Sequence, residues 1–279
     1  MSHIDLHLHS YFSDGTLSPE ALVTAAAERK VTLISITDHD EISGVLPAQR
    51  AGAALAVEVV SGVEINTRVG REEVHILGYG FSADSAIMHE ALHNLRAARQ
   101  ERALQILERL RSMGYLLDHD RVMAIAGVGS IGRPHIARAL VQAGYVADMN
   151  EAFERLIGNH KPAYVPRQDY KPEMAIALIQ RSGGFSSLAH PGKLGDPIRI
   201  IEQLVDAGLN ALEVYHCDHS TSVTARIRHL ATRYALLMTG GSDSHGPNGA
   251  RTVSIGDVPV PEEVEIAVRA ELGRLRANE

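Results

Sequence analysis

His7 and His9 stand two residues apart in the stretch Ser2 to Gly15, SHIDLHLHSYFSDG, where Ile4, Leu6 and Leu8 alternate with Asp5, His7 and His9. Alternation with a period of two predicts a half-buried strand, so both imidazoles point the same way, one strand pitch apart. Neutral imidazole nitrogens bind zinc or manganese well, and two that reach from one side suit a single divalent ion. Asp14 follows a short polar turn and is placed to fold back over the same end. Taken alone, a His-x-His pair is as easily a surface strand that happens to carry two histidines. The rest of the chain removes that balance, because His39, Glu64, His75, His190, His216, Asp243 and His245 each lie at or just beyond an apolar run.

Those runs define the elements that must carry the site. Ser18-Pro19-Glu20 reads as an N-cap, an N1 proline and an early acid, opening a helix to about Arg29. Val31 to Thr37, VTLISIT, has the continuous β-branched character of a buried parallel strand and ends in Asp38-His39-Asp40. A helix over Ile42 to Leu55 leads to a strand over Val57 to Ile65, with Glu64 near its carboxyl end, and then to a strand over Glu73 to Tyr79 carrying His75. This alternation predicts an α/β protein with a right-handed parallel sheet or barrel.

From about Ala83 to Ala163 the pattern is helical with no intervening strand, which marks an insertion. Helices are predicted near Ser85 to Met113, His119 to Ala126, Arg133 to Ala143 and Met149 to Ile157, with Gly114, Gly127, Gly144 and Gly158 at their ends. The αβ rhythm resumes at Pro172. Strands over Phe185 to Ala189, Asn210 to Tyr215 and Ala235 to Thr239 lead to His190, His216 and the Asp243-Ser244-His245 group, and PEEVEIAVRAELGRL closes the chain as a helix. In a parallel barrel all strand ends of one kind share a face. One such histidine, His216 for instance, is more often a hydrogen-bonded core residue than a ligand, but eight or nine at equivalent positions are hard to explain separately.

A single catalytic zinc uses about three protein ligands, so a set this large predicts two or three ions, with Glu64 as the natural bridge. Mixed carboxylate and imidazole ligands favour manganese, iron or zinc over copper. At 279 residues and 45% hydrophobic, the chain can bury a large core. Its net charge of -7 argues against a broad surface for long duplex nucleic acid but allows a local pocket for a phosphate ester. No targeting segment or membrane span is read from the start MSHIDLHLHS or elsewhere, and Cys217 is alone, so a cytoplasmic protein without a disulfide is expected.

His7-Leu8-His9, Asp14, Thr37-Asp38-His39-Asp40, Gly62-Val63-Glu64, His75-Ile76-Leu77-Gly78-Tyr79, Leu188-Ala189-His190-Pro191 and Gly241-Ser242-Asp243-Ser244-His245 resemble, in order, the motif series of the PHP (polymerase and histidinol phosphatase) family. The resemblance implies a distorted seven-stranded (β/α) barrel over residues 1–84 and 165–279, with residues 85–164 as a helical insertion capping the substrate. It implies a trinuclear metal centre: one ion on His7, His9, Glu64 and Asp243, a second on Glu64, His75 and His190, and a third on Asp14, His39 and His245. A hydroxide between the first two would attack phosphorus. Some members have His where this chain has Asp14, and the harder ligand favours manganese while leaving zinc and iron open. His216 receives no ligand role.

Arg96, Arg99 and Arg102, Gly132-Arg133-Pro134-His135 and Lys161-Pro162-Ala163-Tyr164-Val165-Pro166 resemble a narrower, TrpH/YciV-like branch. That implies release of phosphate from nucleoside 3',5'-bisphosphates such as pAp, giving AMP, with 5'-3' exonuclease activity on short 5'-phosphorylated oligonucleotides. Arg99 and Arg102 share a helix face, and guanidinium forks suit a second phosphate. Arg133, Lys161 and His135, the last near a helix N-terminus, are candidates for the same anion site, and Asn248 is a weaker one. The competing reading is an amidohydrolase or deaminase using His7, His9, His190, His216 and Asp243, which leaves Asp14, His39, Glu64, His75 and His245 unexplained. A histidinol-phosphate phosphatase and a non-catalytic metal-binding module compete as well.

Overall fold

The computed structural model describes residues 4–70, 72–127, 129–167, 169–247, 249 and 253–277; Asn248 lies outside them. Seven strands form one sheet in chain order: β1 (Ile4–Leu8), β2 (Leu33–Ile36), β3 (Glu58–Val69), β4 (Glu72–Tyr79), β5 (Phe185–Leu188), β6 (Ala211–His216) and β7 (Leu237–Gly241). The sheet curls until β1 meets β7, where Leu8 bridges Ser244 and the His9 N–H donates to the Ser244 carbonyl at 3.0 Å. Helices α1 (Pro19–Glu28), α2 (Val45–Leu55), α7 (Pro172–Arg181), α8 (Pro197–Asp206) and α9 (Thr221–Arg233) connect or flank the strands. The start of α1 follows the sequence signal: the Ser18 side chain accepts from the Ala21 N–H with Pro19 at N1. Among the described residues no helix is long and apolar enough to cross a membrane.

Two expectations need correction. First, β1 is not half-buried: all five of its residues are buried, because its polar face turns onto other polar side chains of the closed barrel instead of onto water. Second, the sheet is not wholly parallel, since β4 runs antiparallel to both β3 and β5. The cause is the short link between Val69 and Glu72, which passes through Gly70 at φ 60. A parallel crossover needs about a dozen residues, whereas a hairpin needs two. Glu64 therefore lies mid-strand in a long β3, and His75 sits in the first half of β4 instead of at a carboxyl end.

The last helix, α10 (Glu262–Arg276), shows which end of the barrel is closed. Its Val264, Val268 and Leu272 pack with Ile4, Leu33, Phe185 and Ala211, the first residues of four strands, and with Tyr79, the last residue of the reversed β4. The opposite end is left for chemistry.

Between β4 and β5 the chain forms α3 (Ala86–Ser112), α4 (His119–Ala126), α5 (Arg133–Gln142) and α6 (Met149–Ala152), the last running into a π-helical turn over Phe153–Ile157. The first half of α3 packs Met88, Leu92 and Leu95 into the barrel core, while Ala103, Ile106 and Leu110 join a separate apolar cluster with Val122, Ile136, Leu140 and Ile157. At the junction the apolar stripe is interrupted by Arg99 and Arg102, which are only 7% and 8% exposed.

Gly241 makes closure of the barrel possible. A Cβ placed there would lie 2.4 Å from the His7 nitrogen and 2.6 Å from its Cβ. Both neighbours are fixed strand atoms, so Gly241→Ala is expected to cost about 1–3 kcal/mol by overpacking. Urea unfolding checks this, and an unchanged midpoint would show that the seam has slack.

Candidate metal centre

At the open end, Glu64 stands among five imidazoles. Its Oε1 is 2.8 Å from His75 Nδ1 and 3.2 Å from His190 Nε2, while Oε2 is 2.9 Å from His39 Nδ1, 3.4 Å from His9 Nε2 and 3.5 Å from His7 Nε2. One carboxylate thus turns a separate oxygen to each of two imidazole groups. Asp243 Oδ1 lies 3.1 Å from His9 Nε2 and 3.4 Å from His7 Nε2. Asp14 Oδ1 lies 3.4 Å from His245 Nε2 and 3.9 Å from His9 Nδ1, and its Oδ2 is 3.9 Å from His39 Nε2. The local chain explains the placement of Asp14. Asp38 accepts from the Ser10 N–H at 2.8 Å and from the Ser10 and Ser13 hydroxyls at 2.6 Å each, which pins the turn that carries Asp14.

The geometry suits divalent ions. His7 Nε2, His9 Nε2, His75 Nε2 and Asp14 Oδ1 are buried and have no hydrogen-bond partner among the described residues. Buried polar atoms normally have one. Ligand atoms about 2.1 Å from one ion at tetrahedral angles stand roughly 3.4 Å from each other, close to several of the spacings above. Donor atoms close enough to share an ion occur in the groups His7, His9, Asp243; His39, Glu64, His75; and His9, Asp14, His39, His245.

Electrostatics point the same way. Burial would raise the carboxyls of Glu64, Asp243 and Asp14, but adjacent imidazoles overcome it and hold all three well below the usual carboxylate range. Burial drives the imidazoles of His39 and His190 down to about 4 and about 3, so both keep a free lone pair at neutral pH. At His7 and His245 the neighbouring carboxylates outweigh burial and hold the first well above the ordinary value and the second up to about 9, so an ion would displace a proton from each. Ionised carboxylates with neutral imidazoles are the protonation states that bind a metal.

The cleft above these groups has a volume of about 630 Å³ and is walled by His39, Glu73, Asn159, His160, Lys193 and Asp243, among others. A side cavity of about 150 Å³ runs from Asp14, His39 and His75 to Arg99, Arg133 and Arg167. Arg99 Nε is bound to Asp40 at 2.6 Å, and Arg133 Nη2 to Glu73 at 3.1 Å. Nη2 of Arg99 and Nη2 of Arg102 are buried without a hydrogen-bond partner among the described residues, the latter 3.9 Å from Glu73 Oε1. Arg102 and Arg167 are pushed down to about 9 and about 10, first by burial and then by crowding of the guanidinium groups, and both stay charged at pH 7.

Of the sequence-derived anion residues, Arg99, Arg102 and Arg133 come together. His135 is buried beside this group, its Nδ1 accepting the Gly132 N–H at 3.0 Å at the α5 N-terminus and its ring near enough to Asp14 and Arg99 to feel their charges. Lys161 is exposed and stands outside both cavities, whose walls take its neighbours Asn159 and His160 instead. Sequence reasoning missed Arg167, which lies just past the assigned insertion, and Glu73, two residues before His75 on the same face of β4. The period-two rule could have found Glu73.

A profile of the PHP domain matches residues 5–216. The chain belongs to the PHP family. Relatives of this PHP domain include a 3',5'-nucleoside bisphosphate phosphatase of Chromobacterium violaceum, 35% identical over 91% of this chain and 91% of the relative. The 5'-3' exoribonuclease Rnm of Escherichia coli is 35% identical over 87% of this chain and 85% of its own length. Among solved structures, a putative metal-dependent phosphoesterase of Bifidobacterium adolescentis superposes with a TM-score of 0.87 at 31% identity, covering 97% of this chain and 96% of its own. A Chromobacterium violaceum protein described as an amidohydrolase, with bound sulfate and no metal, reaches 0.89 at 32% identity, covering 98% and 97%. The PHP domain described here is a metal-dependent phosphoesterase.

Ions that bind only the folded state raise its stability, by about 2.7 kcal/mol for one ion at a hundred times its dissociation constant. For a chain of this length that is a rise of roughly 4–5 °C in melting temperature per such ion, from the usual entropy per residue. Calorimetry with excess chelator and then with excess divalent cation should show it. Identical melts would mean that the orphaned imidazoles hold no ion.

Proposed function

We propose that this PHP domain removes the 3'-phosphate of nucleoside 3',5'-bisphosphates, pAp to AMP in type. His7, His9, Asp14, His39, Glu64, His75, His190, Asp243 and His245 hold two or three divalent ions, manganese first among them because Asp14 adds a hard oxygen to the set. Residues 85–164 act as the cap over a barrel of residues 1–84 and 165–279, and the chain works in the reducing cytoplasm, in keeping with its lone Cys217.

The observation that carries the reading is the side cavity, which joins the metal-binding side chains Asp14, His39 and His75 directly to Arg99, Arg133 and Arg167. A substrate with one phosphate among the carboxylates and imidazoles would place a second on the guanidinium groups. When bound, the ions neutralise phosphoryl oxygens and acidify a water. The protein's own part is to orient. Arg99 is tethered to Asp40 and the Ile131 carbonyl and Arg133 to Glu73 and Asn159, so both guanidinium groups are fixed before substrate arrives, with Arg99 Nη2 left without a hydrogen-bond partner among the described residues. Four arginines, Arg99, Arg102, Arg133 and Arg167, against two carboxylates, Asp40 and Glu73, leave a surplus of two positive charges, four minus two. That complements a terminal phosphate dianion. The nucleoside would occupy the wider cleft, near Asn159, His160, Lys193 and Leu194.

The same clamp would hold the 5'-phosphate of a short oligonucleotide while the next phosphodiester meets the ions, and the exoribonuclease relative supports that second activity. An amidohydrolase reading uses neither Asp14 nor the arginines, and the shared site formed by Glu64, His39 and His75 would be idle in it.

Phosphate release should be measured for pAp, 3'-AMP, 5'-AMP and histidinol phosphate with manganese-loaded protein, and His7→Ala as the inactive control. A strong preference for pAp with AMP as product is expected. Arg133→Ala and Arg167→Ala should each lower kcat/KM on pAp by roughly 10- to 100-fold, the loss of a charged hydrogen bond of about 1.5–3 kcal/mol. They should barely alter hydrolysis of a monophosphate. Equal losses on both substrates, or a preference for histidinol phosphate, would discard the bisphosphate assignment.

A further inference from the structure

β6 supplies no ligand to the proposed ions, yet Glu213 and His216 on it are buried beside them. Glu213 Oε1 accepts from His7 Nδ1 at 2.8 Å, and its Oε2 accepts from the His190 backbone N–H at 2.6 Å. A carboxylate can only accept, so a proton of His7 is held on Nδ1 and Nε2 is the nitrogen left to face an ion. That Nε2 is the buried atom without a hydrogen-bond partner among the described residues, 3.4 Å from Asp243 Oδ1 and 3.5 Å from Glu64 Oε2.

The second contact of Glu213 acts on backbone. His190 has φ 31 and ψ 54, a left-handed conformation that a residue with a side chain rarely adopts. The bond from its N–H to Glu213 holds that turn, and the turn brings His190 Nε2 to 3.2 Å from Glu64 Oε1.

His216 does for Asp243 what Glu213 does for His7. Its Nδ1 accepts the Asp218 N–H at 3.0 Å, so its proton is on Nε2, which donates to Asp243 Oδ2 at 3.2 Å. The other oxygen of Asp243, Oδ1, is thereby turned toward His7 and His9. His7, Glu213 and His216 also bring donor atoms within 4.8 Å of one another, as a further metal group would. The tautomers argue against an ion there. His7 Nδ1 and His216 Nε2 both carry protons, and His216 Nδ1 is already an acceptor.

We propose that Glu213 and His216 are positioning residues of the metal centre: Glu213 sets the tautomer of His7 and the turn at His190, and His216 selects the oxygen of Asp243 that faces the ions. The proposal rests on the ligand set given above. Outer groups of this kind typically change metal affinity by about 10- to 100-fold when removed.

The test is Mn²⁺ affinity of the purified full chain by competition with a chelator, with Mn²⁺ electron paramagnetic resonance and a thermal melt of the metal-free protein alongside. Glu213→Gln keeps the volume but can no longer accept both bonds, and is expected to weaken Mn²⁺ binding by about 10- to 100-fold and alter the resonance spectrum. His216→Ala should weaken it similarly, and His216→Gln, whose amide can still donate to Asp243, should recover part of the loss. Wild-type affinity in Glu213→Gln and His216→Ala, with binding lost in a His7→Ala control, would overturn the positioning role while leaving the ligand set standing. Wild-type affinity in His7→Ala would instead remove the ligand set, and the proposal with it. A lower melting temperature with unchanged Mn²⁺ affinity and spectrum would show that both residues are only structural, which also overturns it.

Discussion

The centre of this molecule is a buried carboxylate that cannot stand alone. Glu64 is 1% exposed and touches imidazoles from β1, from the turn after β2, from β4 and from the turn after β5. A buried anion must be matched by charge or by hydrogen bonds. His39 and His190 are neutral at physiological pH, so they offer lone pairs instead of positive charge. Asp14 and Asp243 are also ionised nearby, while His7 and His245 carry protons that a divalent cation would displace, and the barrel converges on this cluster from all sides. The tight closure of β1 on β7 at Gly241 follows from the same demand, because His7 and Asp243 have to meet across that seam.

The reversed β4 does more than complete the barrel. Because it runs against its neighbours, its first half lies at the open end and delivers Glu73 and His75 together, one to the arginines and one to Glu64. Its last residue, Tyr79, reaches the floor that α10 seals, where its hydroxyl donates to the Leu6 carbonyl at 2.9 Å. One antiparallel strand therefore links the cluster of imidazoles and carboxylates to the arginine-lined cavity and to the closed end.

Helix α3 joins two apolar cores through a charged middle. Arg99 and Arg102 are buried at the junction, Arg99 on Asp40 and Arg102 on the Val165 carbonyl near Glu73. Burying guanidinium groups costs free energy unless they are paired, and a layer of apolar residues would join the two clusters with less penalty. Their presence at this point fits a pocket built to receive an anion. Tyr164 adds to it, with the guanidinium carbons of Arg102 and Arg133 5.8 Å and 5.5 Å from its ring.

The sequence alone determined the α/β class, the helical interruption and the chemistry of the site. Local spacing was enough for these: alternation for β1, the Ser18-Pro19 cap for α1, and histidines and carboxylates recurring at the edges of apolar runs. Only the tertiary structure decided which groups lie close enough to share an ion, because residues as distant as His7 and Asp243 are brought together by barrel closure and not by pattern. It reversed β4, although the short gap between the expected strands, from Ile65 to Glu73, already left too little chain for a crossover. It separated Arg99, Arg102 and Arg133 from Lys161, and drew in Arg167 from beyond the insertion. It also gave Glu213 and His216 their places beside the ligands, for a buried acid and an imidazole have no distinctive periodicity. Their meaning lies in which hydrogen-bond partners they meet, and those partners come from other strands.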